Sequence, residues 1–199
     1  MEYTVLSNTK KRKKMNVFQL VGTPRNEYGK KAAKAFRQEN LVPCNLYGLG
    51  ENITLTVAEN DVRKLIYTPD TMAVELTIGD VKKMAVVKEF QFHPISGRVM
   101  HIDFLEVNEK KPVTVEIPVK LEGLAEGVKA GGKLALQARK LKVNGIYTQI
   151  PNRVVVDVTS LGLGKKIAVS DIQLEGLKLM NPADMCVAEV KATRQSKQA

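Results

Sequence analysis

The segment from Arg25 to Gly48, RNEYGKKAAKAFRQENLVPCNLYG, combines cations, a predicted helix and a terminal aromatic residue. Its five cations are Arg25, Lys30, Lys31, Lys34 and Arg37. The last four recur at helical spacing, which places much of their charge on one side of a helix that begins near Gly29. Charges in that arrangement suit the phosphates of an RNA backbone. The spacing is equally typical of a solvated amphipathic helix with Ala33 and Phe36 toward a core, and both interpretations stay open.

A second candidate site is the pair His101 and Asp103, which lie two positions apart in a predicted strand. Side chains at that spacing share a face and stand about 7 Å apart. The pair resembles a general-base arrangement, but no activated nucleophile accompanies it. The wide minor groove of an A-form helix offers 2′-hydroxyls and base edges to such a face, where the carboxylate gives discrimination more than affinity. The alternative is that Asp103 only pairs with Arg25 or Arg37.

Other signatures of catalysis or metal binding are incomplete. The GLGKK stretch from Gly162 to Lys166 looks phosphate-binding, but Thr159 stands where a Walker loop needs its first glycine and Lys166 replaces the required hydroxyl residue. His93 and His101 could face one another across a hairpin, yet no third ligand completes a metal shell. We therefore predict that the chain is not an enzyme and holds no metal or cofactor.

Hydrophobic patterns place these residues on strands and brief helices. Strands are predicted at 17–21, 42–47, 53–57, 72–78, 83–93 and 99–107, with helices after Gly29 and over 59–67. Asn40 ends the first helix, and Pro43 turns the chain extended. Tyr47, at the end of its strand, is either a residue at the RNA surface or a core residue with its hydroxyl at the rim. Strands of this number and length predict a small closed barrel.

The polar stretch 108–112 predicts a boundary, followed by a second β-rich domain with strands at 113–121, 134–143, 154–158 and 187–190. Pro118 places the first of these at an edge or bulge. The predicted fold class is mainly β with a few short helices, an N-terminal barrel preceding a β-rich domain. The predicted division is a basic, disordered extension (1–14), an RNA-binding barrel (15–108), a second domain (109–190) and a polar tail (191–199).

Composition narrows the class of partner. The net charge of +10 suits a polyanion, and the like-charged KKRKK block at 10–14 is typical of a nucleic-acid arm. The same block is consistent with a start at Met15. Cys44 and Cys186 belong to no paired motif and are predicted to be buried free thiols in a reducing compartment. With no signal peptide or apolar membrane span, we expect a cytoplasmic chain.

Several motifs resemble one family. The first half carries Phe36-Arg37, V-P-x-x-L-Y-G at Val42 to Gly48, F-Q-F-H-P at Phe90 to Pro94, and H-I-D-F at His101 to Phe104. The second half carries EGVKAGG from Glu126 to Gly132 and a long match from Ile150 to Ile172. Together these resemble the large ribosomal subunit protein twenty-five family, in its longer, two-domain form that is also called general stress protein CTC.

The resemblance implies a structural protein of the bacterial large ribosomal subunit. Its barrel would bind 5S rRNA at the irregular region called loop E, beside other large-subunit components and with no membrane or small-molecule substrate. Positions matching the family's RNA-contacting or motif residues are Arg25, Arg37, Tyr47, Gln91, His101 and Asp103. Lys30, Lys31 and Lys34 fit as phosphate contacts by charge. The chain departs from the pattern at Gln38, where a second arginine is frequent, and at Asn40, where glycine is usual.

Two other functional classes compete with the ribosomal one. The first is an RNA-binding module acting off the ribosome, such as an anticodon-binding barrel, although no synthetase catalytic domain accompanies it. The second is a stress-related protein-interaction factor in which the second domain dominates. Salt dependence separates them, because RNA docking weakens by orders of magnitude as salt rises, whereas an apolar protein interface does not.

Overall fold

The computed structural model describes residues 15–50 and 52–193, which divide into two compact units. One unit is built from residues 15–115 and 146–148, and the other from residues 116–145 and 149–193. The predictions made for residues 1–14 and 194–199 lie outside the described residues.

The first unit carries short helices between its strands. Its elements are β1 (Asn16–Pro24), α1 (Lys30–Gln38), β2 (Leu41–Tyr47), β3 (Ile53–Ala58), α2 (Glu59–Tyr67), β4 (Met72–Ile78), β5 (Val81–Phe92) and β6 (Val99–Glu106). Within the described residues these strands close a barrel in the order β1, β3, β2, β6, β5, β4. The β1–β4 and β2–β6 pairs are parallel, and the other pairs are antiparallel.

The barrel interior is filled by apolar side chains from all of these strands. Leu20, Leu46, Leu55, Leu76 and Phe104 are each at most 1% exposed. Burial of each such side chain stabilises the fold by about 1.5–3 kcal/mol relative to exposure. The predicted fold class, a mainly β chain with an N-terminal closed barrel followed by a β-rich part, is confirmed.

Strand β2 shows how the sequence divides inside from outside. Val42, Cys44 and Leu46 point into the core, whereas Asn45 and Tyr47 alternate with them and are half-buried. Burial is the main reason that the pKa of the Cys44 thiol rises to about 12, so this thiol stays protonated. The prediction that both thiols are buried is wrong for the other cysteine of the chain, which is half-buried because it opens the last strand.

Helix α1 follows Gly29, as the sequence predicts, and its first backbone bond joins the Ala33 N–H to the Gly29 carbonyl at 3.1 Å. The chain leaves the helix through Asn40, whose φ of 59° lies in the left-handed region. Asparagine enters that region more readily than most residues with a side chain. The turn is therefore kept without glycine, and it leads the chain into β2.

The second unit is built from short strands. Its elements follow β7 (Val113–Glu122) as α3 (Glu126–Lys129), β8 (Lys133–Leu136), β9 (Lys140–Gly145), β10 (Val154–Asp157), β11 (Lys166–Ala168), β12 (Lys178–Leu179) and β13 (Cys186–Lys191). A four-stranded sheet has the order β10, β7, β9, β12, and a three-stranded sheet has the order β11, β13, β8. A short 3-10 turn of this unit lies at Val169–Asp171, and another, Tyr147–Gln149, has its first two residues in the first unit.

Two predictions for this unit are wrong. The single strand predicted at 134–143 is two strands in different sheets, because the N–H groups of Gln137 and Ala138 both donate to the Val187 carbonyl and bend the chain between them. Of the edge or bulge predicted for Pro118, the edge alternative is wrong, since β7 lies between β10 and β9. Its pairing with β10 begins at Val119, one residue beyond Pro118, so the missing proline N–H removes no bond to β10.

Glycine in the second unit permits a close backbone contact. A Cβ atom on Gly127 would lie 2.6 Å from both the carbonyl carbon of Gly162 and the nitrogen of Leu163. The Gly127 N–H donates to the Leu161 carbonyl at 2.9 Å, which holds the two segments together. The stretch that looks like a phosphate loop therefore packs against α3.

Candidate nucleic-acid interface

A row of polar side chains crosses four adjacent strands on the outside of the barrel. Thr54 on β3 is opposite Asn45 on β2, Asn45 is opposite Asp103 on β6, and Asp103 is opposite Glu89 on β5. We call Thr54, Asn45, Asp103 and Glu89 the polar row. Each member alternates with buried residues of its own strand or follows a bulge, so all face outward. Neighbouring strands lie about 4.8 Å apart, so the row spans about 14 Å.

The next outward pair on the same strands consists of His101 and Gln91, which are also opposite each other. His101 Nδ1 lies 3.4 Å from Asp103 Oδ1, so the two predicted residues share one face. Gln91 is exposed, whereas His101 and Asp103 are half-buried. In the described part of the chain, the basic side chain within 4 Å of the Asp103 carboxylate is thus that of His101 and not of an arginine.

Burial and surrounding charges determine the protonation of His101. Burial lowers its pKa most strongly, the Asp103 carboxylate acts in the opposite direction, and the cations Arg25 and Arg37 lower it further. Because its pKa is lowered, the His101 imidazole is largely uncharged near neutral pH, so its 3.4 Å approach to the Asp103 carboxylate is not a full ion pair.

We expect His101 to titrate below its usual pKa of 6.5. The unfolded chain takes up this proton near that value while the folded chain resists it, so the free energy of unfolding falls as the pH drops from 7 towards 5. An NMR titration of the imidazole measures the midpoint, and His101→Gln should reduce the change in urea midpoint over this range. A midpoint above 6.5 would mean that attraction by Asp103 prevails over burial.

Arg25 is fixed against the barrel at the end of the polar row. Its N–H donates to the Thr54 carbonyl at 3.0 Å, and the Thr54 hydroxyl donates to the Arg25 carbonyl at 2.9 Å. Among the described residues, Arg25 Nε and Asn45 Oδ1 are buried side-chain atoms without a hydrogen-bond partner. These two atoms leave this end of the row polar and incompletely hydrogen-bonded. Each unsatisfied buried polar group lowers the stability of the fold by about 1–3 kcal/mol.

Helix α1 presents cations beside this face. Lys30, Lys31 and Lys34 are exposed, while the residues predicted to face a core are half-buried. No residue of α1 is fully buried among those described, so the helix lies on the barrel surface. Arg37 is half-buried and its Nε donates to the Met100 carbonyl at 3.1 Å, which ties the last helical turn to β6.

Tyr47 lies at the end of β2, opposite Leu105 of β6. Its half-buried ring is neither in the core nor free in solvent. Burial raises the pKa of its hydroxyl, with further contributions from Asp103 and Glu89. The hydroxyl is therefore protonated near neutral pH, so it can both donate and accept a hydrogen bond.

His93 is not part of this face. Its Nδ1 accepts hydrogen bonds from the N–H groups of Ile95 at 3.3 Å and Ser96 at 3.2 Å, so it closes the turn between β5 and β6. Within the described residues, no cluster of three or more histidine, cysteine or acidic residues could hold a metal ion. The two histidines therefore do not meet across the hairpin.

Sequence reasoning missed Asn45 and Glu89. Asn45 is a polar residue in the otherwise mostly apolar strand LVPCNLY, and that interruption was the available signal. Glu89 faces the row only because the register of β5 shifts between Val87 and Glu89, and the shift leaves no mark in the alternation.

The comparisons with known proteins match both parts of the chain. The model described as "Ribosomal L25p family" matches residues 20–104, and the model described as "Ribosomal protein TL5, C-terminal domain" matches residues 112–194. The chain belongs to the ribosomal L25p family. It is therefore a structural ribosomal protein and not an enzyme, and its predicted ribosome-associated location follows from the family.

Full-length relatives support this membership. A Porphyromonas gingivalis protein named "Large ribosomal subunit protein bL25" is 52% identical over 187 residues, covering 93% of this chain and 97% of the relative. A protein of the same name from Phocaeicola vulgatus is 46% identical, covering 93% of this chain and 97% of the relative. One from Bacteroides thetaiotaomicron is 47% identical, covering 85% of this chain and 86% of the relative. The predicted two-domain form of the family is thereby confirmed. In the described part of the chain, no helix has the length and apolar character needed to cross a membrane.

Proposed function

We propose that this family member is a structural component of the large ribosomal subunit and binds 5S rRNA at loop E through a domain formed by residues 15–108. The relatives' names support the large-subunit part of the proposal. The observation that carries the RNA-binding part is the polar row with His101 and Gln91 beside it, flanked by the exposed cations of α1.

The proposed contacts are of two kinds: some position the protein on the RNA backbone, and others recognise base edges and 2′-hydroxyls. Lys30, Lys31 and Lys34 bind phosphates, because ammonium groups on an exposed helix can follow an RNA backbone. Arg25 and Arg37 are anchored through backbone bonds or carbonyl acceptors, which leaves their terminal guanidinium nitrogens for the RNA. These groups supply affinity and orientation without reading the bases.

Gln91, His101 and Asp103 read the RNA in this proposal. Their side chains form a shallow polar surface, which suits the wide minor groove of an A-form helix better than its narrow major groove. Asp103 accepts a hydrogen bond from a 2′-hydroxyl or a guanine amino group, His101 and Gln91 donate or accept beside it, and Tyr47 borders the same surface. Carboxylates repel phosphates, so this centre discriminates between RNA shapes and does not add general attraction.

The remaining chain has a different role in the proposal. Residues 109–190 form the second domain, which contacts other components of the large subunit. This stretch and the tail at 191–199 are together rich in lysine and arginine, which suits rRNA or an acidic protein neighbour. Residues 1–14 act as a basic arm.

Binding to 5S rRNA at several salt concentrations tests the proposal. Five phosphate contacts predict that affinity falls about 10²- to 10³-fold between 50 and 200 mM salt, and that binding depends on loop E. The matched RNA has its loop E replaced by Watson–Crick pairs with the same length and charge. Equal affinity for both RNAs would reduce the function to general electrostatic binding and contradict the proposal.

A further inference from the structure

Arg98, the residue immediately before β6, contacts three separate parts of the barrel through one guanidinium group. Its Nε lies 3.2 Å from Glu59 Oε2 and its Nη2 lies 2.5 Å from the same oxygen, at the start of α2. The same Nη2 donates to the Asn40 side-chain oxygen at 2.9 Å and to the Arg37 carbonyl at 3.1 Å. We call these contacts the Arg98 clasp.

The clasp completes the carboxyl end of α1. Carbonyl groups in the last turn of a helix lack partners within the helix, and basic side chains are suitable donors to them. Arg98 serves the Arg37 carbonyl in this way and holds the side chain of Asn40, the residue with positive φ. The Asn40 carbonyl accepts from the Glu59 N–H at 2.9 Å, so α2 fixes the same turn through its backbone.

A second tie runs in the opposite direction. The Arg37 side chain donates to the Met100 carbonyl of β6, while the Arg98 side chain donates to the Arg37 carbonyl of α1. Two arginines therefore exchange hydrogen bonds between the end of the basic helix and the start of the strand that carries His101 and Asp103. Rotation of α1 relative to β6 would break both ties.

We propose that Arg98 is a positioning residue of the RNA interface, holding α1 so that its lysines and the polar row contact one RNA surface together. This inference rests on the proposed function. The Glu59 side chain is 15% exposed and is engaged with Arg98, so the pair presents little net charge to a phosphate. Arg98 therefore contributes by fixing the position of α1 and not by attracting phosphates. The position of Arg37, in the last turn of α1, depends on this contact.

Whether Glu59→Gln strengthens or weakens RNA binding distinguishes positioning of α1 by Arg98 from simple electrostatic attraction. Removing an acid makes the chain more basic, and general electrostatics predicts stronger RNA binding. Loss of the clasp predicts weaker loop E-dependent binding, by about tenfold if one charge-assisted hydrogen bond to RNA is lost. Glu75→Gln is the matched control, because Glu75 lies on β4, a strand that carries no residue of the proposed interface, and it too pairs with a cation, Lys82.

Two further variants complete the test. Arg98→Lys keeps the charge but lacks the planar fork that serves several acceptors, so we expect it to bind as weakly as Arg98→Gln. Asn40→Gly keeps the left-handed turn while removing one acceptor, so we expect an intermediate loss. Full rescue by lysine, or Glu59→Gln binding as tightly as Glu75→Gln, would overturn the clasp while leaving the proposed function intact.

Hydrogen exchange in the absence of RNA provides an independent measurement. The clasp predicts that Glu59→Gln increases exchange of the Glu39 and Asn40 amides, which bond to carbonyls of the last α1 turn. The amides of β4 should exchange as before. Unchanged Glu39 and Asn40 exchange would count against the clasp, whereas failure of the unmodified chain to prefer loop E would remove the proposed function and this inference together.

Discussion

Replacing Asp103 with asparagine is expected to lower the preference for loop E over a regular duplex by about 10- to 100-fold, the range for losing one specific charge-assisted contact. The substitution keeps the size and outward position of the side chain on β6. It removes a negative charge, so binding to the regular duplex should become slightly stronger while binding to loop E becomes weaker. Opposite changes on two RNAs cannot arise from unfolding, which would weaken both.

The control for this experiment is Glu75→Gln, which changes the charge equally on β4, away from the polar row. Its affinities for both RNAs should rise together and leave their ratio unchanged. Affinities measured by gel shift at one fixed salt concentration decide the outcome, because the ratio depends on salt. If Asp103→Asn behaved like the control, the carboxylate would have no reading role.

Gly127→Ala is expected to destabilise the second unit by about 3 kcal/mol, the scale of overpacking in a tight contact. The new methyl group would meet backbone atoms of Gly162 and Leu163, which cannot rotate away as a side-chain tip can. Moving them would disturb the Gly127 N–H bond to the Leu161 carbonyl as well. The contact should therefore open rather than adjust.

Gly162→Ala is the matched control in the same loop, because its Cβ would approach no described atom closer than Lys165 Cδ at 3.6 Å. We expect this variant to lie within about 0.5 kcal/mol of the unmodified chain. Hydrogen exchange during a urea titration reports each unit separately, with β13 amides for the second unit and β6 amides for the barrel. An unchanged β13 midpoint in Gly127→Ala would contradict the contact.

The sequence correctly predicted the helices and strands that depend only on residues close by in the chain. Helix α2 and strand β4 have the predicted bounds, because proline and glycine punctuate them and their apolar spacing is regular. The prediction of one strand at 134–143 was wrong because the apolar pattern continues through the break between β8 and β9. Hydrogen bonds to the Val187 carbonyl, on a distant strand, cause that break. The role of Gly127 also depends on a distant segment, and no local spacing could reveal it.

The candidate interface shows the same division. Period-two alternation was sufficient to place His101 and Asp103 on one face. Adding Asn45 required the parallel pairing of β2 with β6, and adding Glu89 required a register shift in β5. Arg98 was missed because its partners come from three elements, which no linear motif records.

The parallel pairing of β2 with β6 also determines when the proposed RNA surface first exists. Cys44 aligns with Ile102, and β3, α2, β4 and β5 are synthesised between them. Closing so long a loop is slower than forming a local hairpin, and topologies rich in distant contacts fold late. During translation, Asn45 and Asp103 cannot become neighbours until the ribosome has extended the chain beyond β6. A nascent chain ending before Val99 would carry the basic helix without the reading face, and would bind RNA without discrimination.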